Sequence, residues 1–491
     1  MQRYLFWIAL TLCLTLAMVG LVSQINGRTE ASKRVILSET KNSETNDRPF
    51  YQIQAKYDEE NRRLTGNLTI TLPKKLRPKR MKEIYFHLYP NAFQNWKWEE
   101  EAKPKNAGYL KVFDIKVNGK EATHHIEETL LKVDSPVVIP LGKPAQVEMA
   151  YELQLPEGGT RLNTFKKTAF LAQWYPMLAV YDKEGWHTDP YTSIGDPFYT
   201  RMSDFEVTFD LPKGYRLITS AEDTKKNTMP VTLRQSNIRD FAAVISKDYQ
   251  VIEGRAGKTK VNTFYLKGME KVAPTLHDAA ISSMKYFSEK FGPYPYGEID
   301  VVLGETGHGI AGMEYPGLVT SIPYVPTRDG QKPAINVVAH ELAHQWWYGI
   351  VGNNQVKEPW LDEGLTTFSE MLFMAKQMGE DEQELLKWVV ERSEEIFEKR
   401  GITSVEPLYK YSDPIYGIMV YSRPAAMMWN LMDNIGEEKV LKILQTYYDQ
   451  YKYKIATTED FIRVANQVVG KDLTPFFSRW LYFESEKASG E

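Results

Sequence analysis

Between residue 50 and about residue 266, apolar and polar positions alternate in short runs separated by Gly, Pro and Asn. Residues 68–72, 84–88, 147–153 and 205–211 have the two-residue period of half-buried strands. In the last of these, Phe205, Val207, Phe209 and Leu211 share one face. This stretch predicts an all-β unit. Near Pro274 the period changes. Residues 276–291 carry apolar side chains at helical spacing, and a short strand is predicted over residues 299–303, after Pro293 and Pro295. Further helices are predicted over residues 334–349, 359–377, 382–399, 419–434, 438–448, 459–469 and 475–481.

The longest apolar run, residues 4–22, follows Arg3 and is long enough, at about 1.5 Å per helical residue, to cross a bilayer core. The residues behind it lack a pair of small side chains at cleavage spacing, and Leu12 before Cys13 is too large for a lipoprotein signal. An uncleaved membrane anchor is therefore favoured over a signal peptide. A large unit behind a short cationic N-terminus is expected on the exported side, or secreted if the segment is removed, although Arg28, Lys33 and Arg34 weaken the charge asymmetry. The expected organisation is an anchor over residues 1–28, a polar tether over 29–49, a β-rich domain over 50–268 and a second domain over 269–491.

Composition narrows the function. A chain of 491 residues exceeds one ordinary core, and 43% hydrophobic with 25% charged residues describes a chain that folds mostly in water. With 60 basic and 64 acidic residues the net charge is −4, which argues against a nucleic-acid partner. The single cysteine, Cys13, lies in the apolar run, so any metal in the folded part must be held by nitrogen and oxygen. Lys74, Lys75, Arg77, Lys79, Arg80 and Lys82 form a basic cluster between two predicted strands, read as a solvated hairpin end in preference to a lipid-headgroup contact.

The segment NVVAHELAHQWWY, residues 336–348, holds His340, Glu341 and His344 as H-E-x-x-H. Four residues are slightly more than one helical turn, so both imidazoles project from one face and can each give a nitrogen to a tetrahedral ion. With 8 histidines and 64 acidic residues in the chain, the pattern is expected by chance only about 0.01 times. A catalytic zinc needs three protein ligands and an open position. Pro359 suits the first position of a second helix, which brings Glu363 in its opening turns toward the two imidazoles, with Gly364 permitting close approach. Asp362, about 100° around that helix, and Glu358, before it, are the competing third ligands. His87, His124, His125, His187, His277 and His308 have no ligand spacing and read as structural or surface residues.

Here the chain resembles the aminopeptidase N-like gluzincin metallopeptidases, whose pattern is H-E-x-x-H, eighteen residues, then Glu; residues 345–362 are the eighteen. WLDEGLTTF at 360–368 is similar to the family's W-L-N-E-G segment, with Asp362 in the Asn position. AGMEYPG at 311–317 resembles the G-x-M-E-N motif, with Ala311 for the first Gly and Tyr315 for Asn, and so implies that Glu314 binds the substrate's free α-amino group. Tyr421, followed by Ser422, Arg423, Pro424 and Ala425, is similar to the family's tyrosine that stabilises the tetrahedral intermediate; Tyr416 competes for the role. AQWYP at 172–176 and GDPFY at 195–199 look like the region where the family's N-terminal domain reaches the site, making Gln173 a second amine-binding candidate.

The resemblance implies a multidomain fold, a β-rich saddle- or sandwich-like N-terminal domain followed by a thermolysin-like α/β-to-helical peptidase domain. The 67 residues after Pro424 suffice for closing helices, without the large C-terminal helical domain of many relatives. It further implies one Zn²⁺ per chain on His340, His344 and Glu363, with Glu341 as general base and peptides bearing a free N-terminus as substrates. The alternatives are an endopeptidase with an open cleft and a non-catalytic tethered binding protein. The second fits poorly, since structural zinc sites fill all four positions and need no spare glutamate.

Overall fold

The alternation becomes pleat. In the strand Phe50–Asp58 every second residue from Tyr51 to Tyr57 is buried and those between are exposed. This strand pairs parallel with Ser203–Asp210 and antiparallel with Arg63–Thr71 near the middle of a seven-stranded sheet. A second sheet contains Arg80–His87 and Leu130–Pro140, and a third contains Thr168–Leu171 and Ala243–Ser246. Their inward faces meet in one apolar core that includes Tyr51, Phe86, Trp174 and Phe209. The structure is a computed structural model that describes residues 48–98, 103–224, 228–304, 310–322, 330–379 and 383–484. The expected anchor and all of the tether up to residue 47 lie outside the described residues, as does His308. Among the described residues no helix is long and apolar enough to cross a membrane.

A five-stranded sheet begins the second half, in the order Gln250–Ala256, Thr259–Tyr265, Glu298–Leu303, Leu318–Ser321 and Gly312–Met313. It runs across residue 268, where the domain boundary is expected, because Thr259–Tyr265 pairs parallel with Glu298–Leu303. The described residues from Pro49 onward form one compact unit. Helices α1 (Ala273–Lys290), α2 (Lys332–Ala343), α3 (Trp360–Met378) and α4 (Gln383–Arg400) follow, then a short α5 (Asp413–Tyr416). The chain closes with α6 (Arg423–Ile435), α7 (Glu437–Tyr451), α8 (Thr458–Val469) and α9 (Thr474–Tyr482). Their apolar faces enclose Phe287, Trp346, Trp347, Trp360 and Phe368, and full burial of one phenylalanine contributes about 2–3 kcal/mol.

Two local expectations need correction. The helix predicted over residues 334–349 stops at Ala343. Beyond it the amides of Gln345 and Trp346 bond to the carbonyls of Leu342 and Ala343, three residues back, so the last turn tightens and then breaks. The basic cluster is not wholly solvated either. Arg77 is buried, and its guanidinium donates to the carbonyl oxygens of Pro140, at 3.2 Å, and of Lys143.

Candidate active site

Pro333 opens α2, where a missing N–H costs nothing, and the helix carries His340 in its last turn and His344 as its C-terminal cap. Pro359 precedes α3, whose first turn holds Asp362 and Glu363. The two helix ends bring three donor atoms together. His340 Nε2 and His344 Nε2 are 3.1 Å apart, and Glu363 Oε2 lies 3.4 Å from the first and 3.2 Å from the second.

The residues fit a zinc ion. Tetrahedral ligands about 2.0–2.1 Å from zinc lie about 3.3 Å from one another, which is the spacing of this triangle. Glu363 Oε2 is buried without a hydrogen-bond partner, as expected of an atom reserved for a cation. The outer ring nitrogens are already engaged. His344 Nδ1 is 2.6 Å from Asp362 Oδ1 and 3.1 Å from Thr366 Oγ1, and His340 Nδ1 is 3.2 Å from Glu370 Oε2. Partners of this kind fix each ring with Nε2 directed inward. Asp362 therefore supports a ligand instead of competing for the centre. Glu358 is directed elsewhere, accepting from the Thr458 amide at 2.9 Å. Burial opposes charge on His340, but Glu363 and Glu370 outweigh it and hold the imidazole up to about 9. The centre thus favours positive charge.

Glu341 and Glu314 face the same cavity, which has a volume of about 390 Å³. Burial pushes the Glu341 carboxyl up to about 7, against the pull of His340 and His344. Gly312, on the edge strand, passes so close that a Cβ there would meet the Glu341 carboxylate. Glu314 is buried beside His344 and Asp362, with donor atoms of the three within 4.8 Å of one another. Its backbone is held by Gln345, the residue after His344. The Gln345 side-chain amide donates to the carbonyls of Glu314 and Tyr315 at 3.2 and 3.1 Å and accepts from the Gly317 amide at 3.0 Å.

Tyr421 lies in a π-helical stretch, Gly417–Ser422, that leads into α6. Its hydroxyl donates to Glu363 Oε1 at 2.6 Å and its ring stacks on His340, with centroids 5.8 Å apart. Tyr416 also lines the cavity and packs edge-on against the Tyr421 ring, with centroids 5.4 Å apart. Gly364 permits close approach, as expected, but to Pro424 at the start of α6 and to the Val420 carbonyl in the π-helical stretch.

Gln173 departs from expectation. It does not line the cavity; its side-chain amide donates to the buried Asp240 at 2.8 Å, and Tyr175 donates to the other carboxylate oxygen at 2.9 Å. A fully buried carboxylate without a cation needs such donors, and it takes the amide that amine binding would require. The segment at 195–199 does reach the cleft. Gly195 and Asp196 line it, and Asp196 is paired with the buried Arg161 at 3.0 Å. Asp196, Gln345 and Glu370 were not singled out by sequence. Only Glu370 had a local signal, lying seven residues, two helical turns, beyond Glu363 on one face of α3.

Residues 276–480, which contain every ligand and both glutamates, match the Peptidase family M1 domain. This match falls on the part of the chain whose motifs resemble the aminopeptidase N-like gluzincins. It is 24% identical over 304 residues to Aminopeptidase 2, mitochondrial, of Saccharomyces cerevisiae, covering 59% of this chain and 31% of that protein. It is also 24% identical over 373 residues to Leukotriene A-4 hydrolase of Xenopus laevis, covering 72% and 60%. The chain thus spans 31% to 60% of these relatives' lengths. Among solved structures, an M1 zinc metallopeptidase from Deinococcus radiodurans aligns with a TM-score of 0.64 at 17% identity, covering 89% of this chain and 94% of that one. A mutant of an M1 zinc metallopeptidase from the same organism, bound to a Tyr-Ser-Ala substrate, aligns with a TM-score of 0.65 at 16% identity, covering 91% and 96%. These structures share the fold of this chain.

Proposed function

We propose that this protein is a zinc-dependent aminopeptidase that holds one zinc ion per chain and hydrolyses the first peptide bond of peptides with a free N-terminus. One observation carries the reading: the buried Glu314 carboxylate shares a cavity with Glu341 and with the His340, His344 and Glu363 donors. A zinc ion on those donors would polarise the scissile carbonyl and acidify a water molecule. Glu314 pairs with the substrate's ammonium group and so sets the first peptide bond, and no later one, over the reacting centre. Glu341 takes a proton from the attacking water and returns it to the departing amine. The Tyr421 hydroxyl donates a hydrogen bond to the developing oxyanion. Aminopeptidases among the relatives, and the neighbour with a bound tripeptide, support a short-peptide substrate.

The apolar run over residues 4–22 supports a membrane tether with the catalytic part exported, or a secreted enzyme if the run is cleaved. The acidic balance of the chain supports no role for nucleic acid.

The test is a panel of amino-acid amides and matched N-acetylated peptides, assayed with and without a chelator, on the wild type and Glu314→Ala. Cleavage of free-amine substrates alone, abolished by chelation and reduced about a hundred-fold or more by the substitution, is the expected outcome. Equal cleavage of blocked peptides would assign an endopeptidase, and equal effects of Glu314→Ala on both classes would remove its role as amine anchor.

A further inference from the structure

The edge strand that leads to Glu314 is short. Gly312 and Met313 pair with Ser321 and Thr320, and the ladder stops there, one residue before Glu314. The chain then turns back on itself. The Leu318 amide bonds to the Tyr315 carbonyl at 3.0 Å, and Gly317 stands at φ +73°, where a Cβ would meet the Ser220 carbonyl oxygen. Buried backbone groups beyond the end of a ladder need other partners. Here a side chain supplies them.

Gln345 is 1% exposed, and its amide is used on every side. Nε2 donates to the carbonyl oxygens of Glu314 and Tyr315, while Oε1 accepts from the Gly317 amide and from the Tyr294 hydroxyl, the last at 3.4 Å. Two N–H groups and one acceptor on a single planar group match a turn that offers two carbonyls and one N–H; neither a carboxylate nor an ammonium group does.

The place of Gln345 in the chain gives this clamp its meaning. It follows His344 where α2 tightens into its last turn, with the Gln345 amide bonded to the Leu342 carbonyl at 3.2 Å. Neighbouring Cα atoms are about 3.8 Å apart. A single peptide unit therefore separates a metal donor from the hold on Glu314. Gly312, packed against the Glu341 side chain, ties the same strand to the same helix. On the other side, Met313 and Tyr315 sit in an apolar cluster with Phe170 and Val302. Apolar packing is non-directional, whereas hydrogen bonds to three peptide groups fix both distance and direction.

We propose that Gln345 is a positioning residue, which sets the distance from the amine anchor Glu314 to the metal donors and so selects the first peptide bond for cleavage. The inference rests on the aminopeptidase reading of Glu314. Gln345 is not among the residues that line the cavity, so it acts through the strand.

The test uses the zinc-loaded full-length protein and two probes that chelate zinc through a hydroxamate: leucine hydroxamate, and isocaproyl hydroxamate, which lacks only the amine. Affinities come from titration calorimetry. Wild-type protein should bind the amine-bearing probe about ten-fold or more tighter. Equal binding of the two would remove the amine anchor itself, and with it the aminopeptidase reading. Gln345→Met keeps the volume and loses the hydrogen bonds. It is expected to weaken leucine hydroxamate about ten-fold or more, with isocaproyl hydroxamate affinity and zinc content unchanged. Added to Glu314→Ala it should cause no further loss, because its effect runs through that carboxylate. A retained preference for the amine in Gln345→Met, an equal loss for both probes, or an additive loss in the double variant overturns the proposal while leaving Glu314 as the anchor. Gln345→Glu keeps the length and the acceptor for Gly317 but not the two N–H donors. Should the methionine variant fold poorly, the same selective loss in the glutamate variant decides the matter.

Discussion

His344 Nδ1 lies 2.6 Å from Asp362 Oδ1, and both side chains are buried. The carboxylate holds the far side of the ring, so its removal frees the imidazole to rotate and lowers its basicity. Asp362→Ala is expected to weaken zinc binding about ten- to hundred-fold, measured by competition with a chromogenic chelator. Asp362→Asn keeps an acceptor oxygen and should recover most of the loss. Unchanged affinity in the alanine variant would mean that the ring is fixed by Thr366 and packing alone.

Glu341 contributes no atom to the donor triangle but faces the same cavity. Glu341→Gln should therefore keep its zinc, counted by atomic emission, while turnover of an amino-acid amide falls by about 10²–10⁴. Wild-type turnover in this variant would end the proposed proton transfer.

Gly312 sits where a Cβ would meet the Glu341 side chain from Cγ to Oε1. In Gly312→Ala the carboxylate must move, and a displacement of about 1 Å costs roughly a hundred-fold in rate. kcat should fall while metal content and melting temperature stay near wild type. A normal kcat would show that Glu341 relocates without cost.

His87 is buried in the β-rich half, stacked on Tyr89 with centroids 4.9 Å apart. Burial pushes its imidazole down to about 4, below the ordinary value of 6.5. A depressed folded value means the unfolded chain binds the extra proton first. Stability is therefore full above pH 6.5 and falls as pH drops from 6.5 toward 4, by at most about 3 kcal/mol. In urea melts across this window, His87→Phe should flatten the slope; an unaltered slope would place the acid sensitivity elsewhere.

Much of the site could be read along the chain because its chemistry is local. His340 and His344 are one turn apart, and Glu363 follows from where Pro359 starts the next helix. Asp362 was visible too, but only contact geometry shows that it holds a ring instead of an ion. Gln345 and Asp196 act through partners distant in sequence, the strand that carries Glu314 and the buried Arg161, and no spacing rule reveals such pairings. The expectation for Gln173 failed for the same reason, since its partner Asp240 lies 67 residues away. In the fold, strand periods located the sheets, while the sheet that crosses residue 268 depended on the parallel pairing of Thr259–Tyr265 with Glu298–Leu303. Parallel partners leave no hairpin turn to read.

The wide turn at Gly417–Ser422 has a consequence for how this protein can change. Such a turn accommodates one residue more than an ordinary helix of equal length, and Tyr421 sits within it. Excising a single residue there would let the backbone relax into regular winding and swing the phenol about 100° around the axis, away from the carboxylate it now touches. A length change in this segment would thus remove the Tyr421 contact without altering any of the metal-donor side chains.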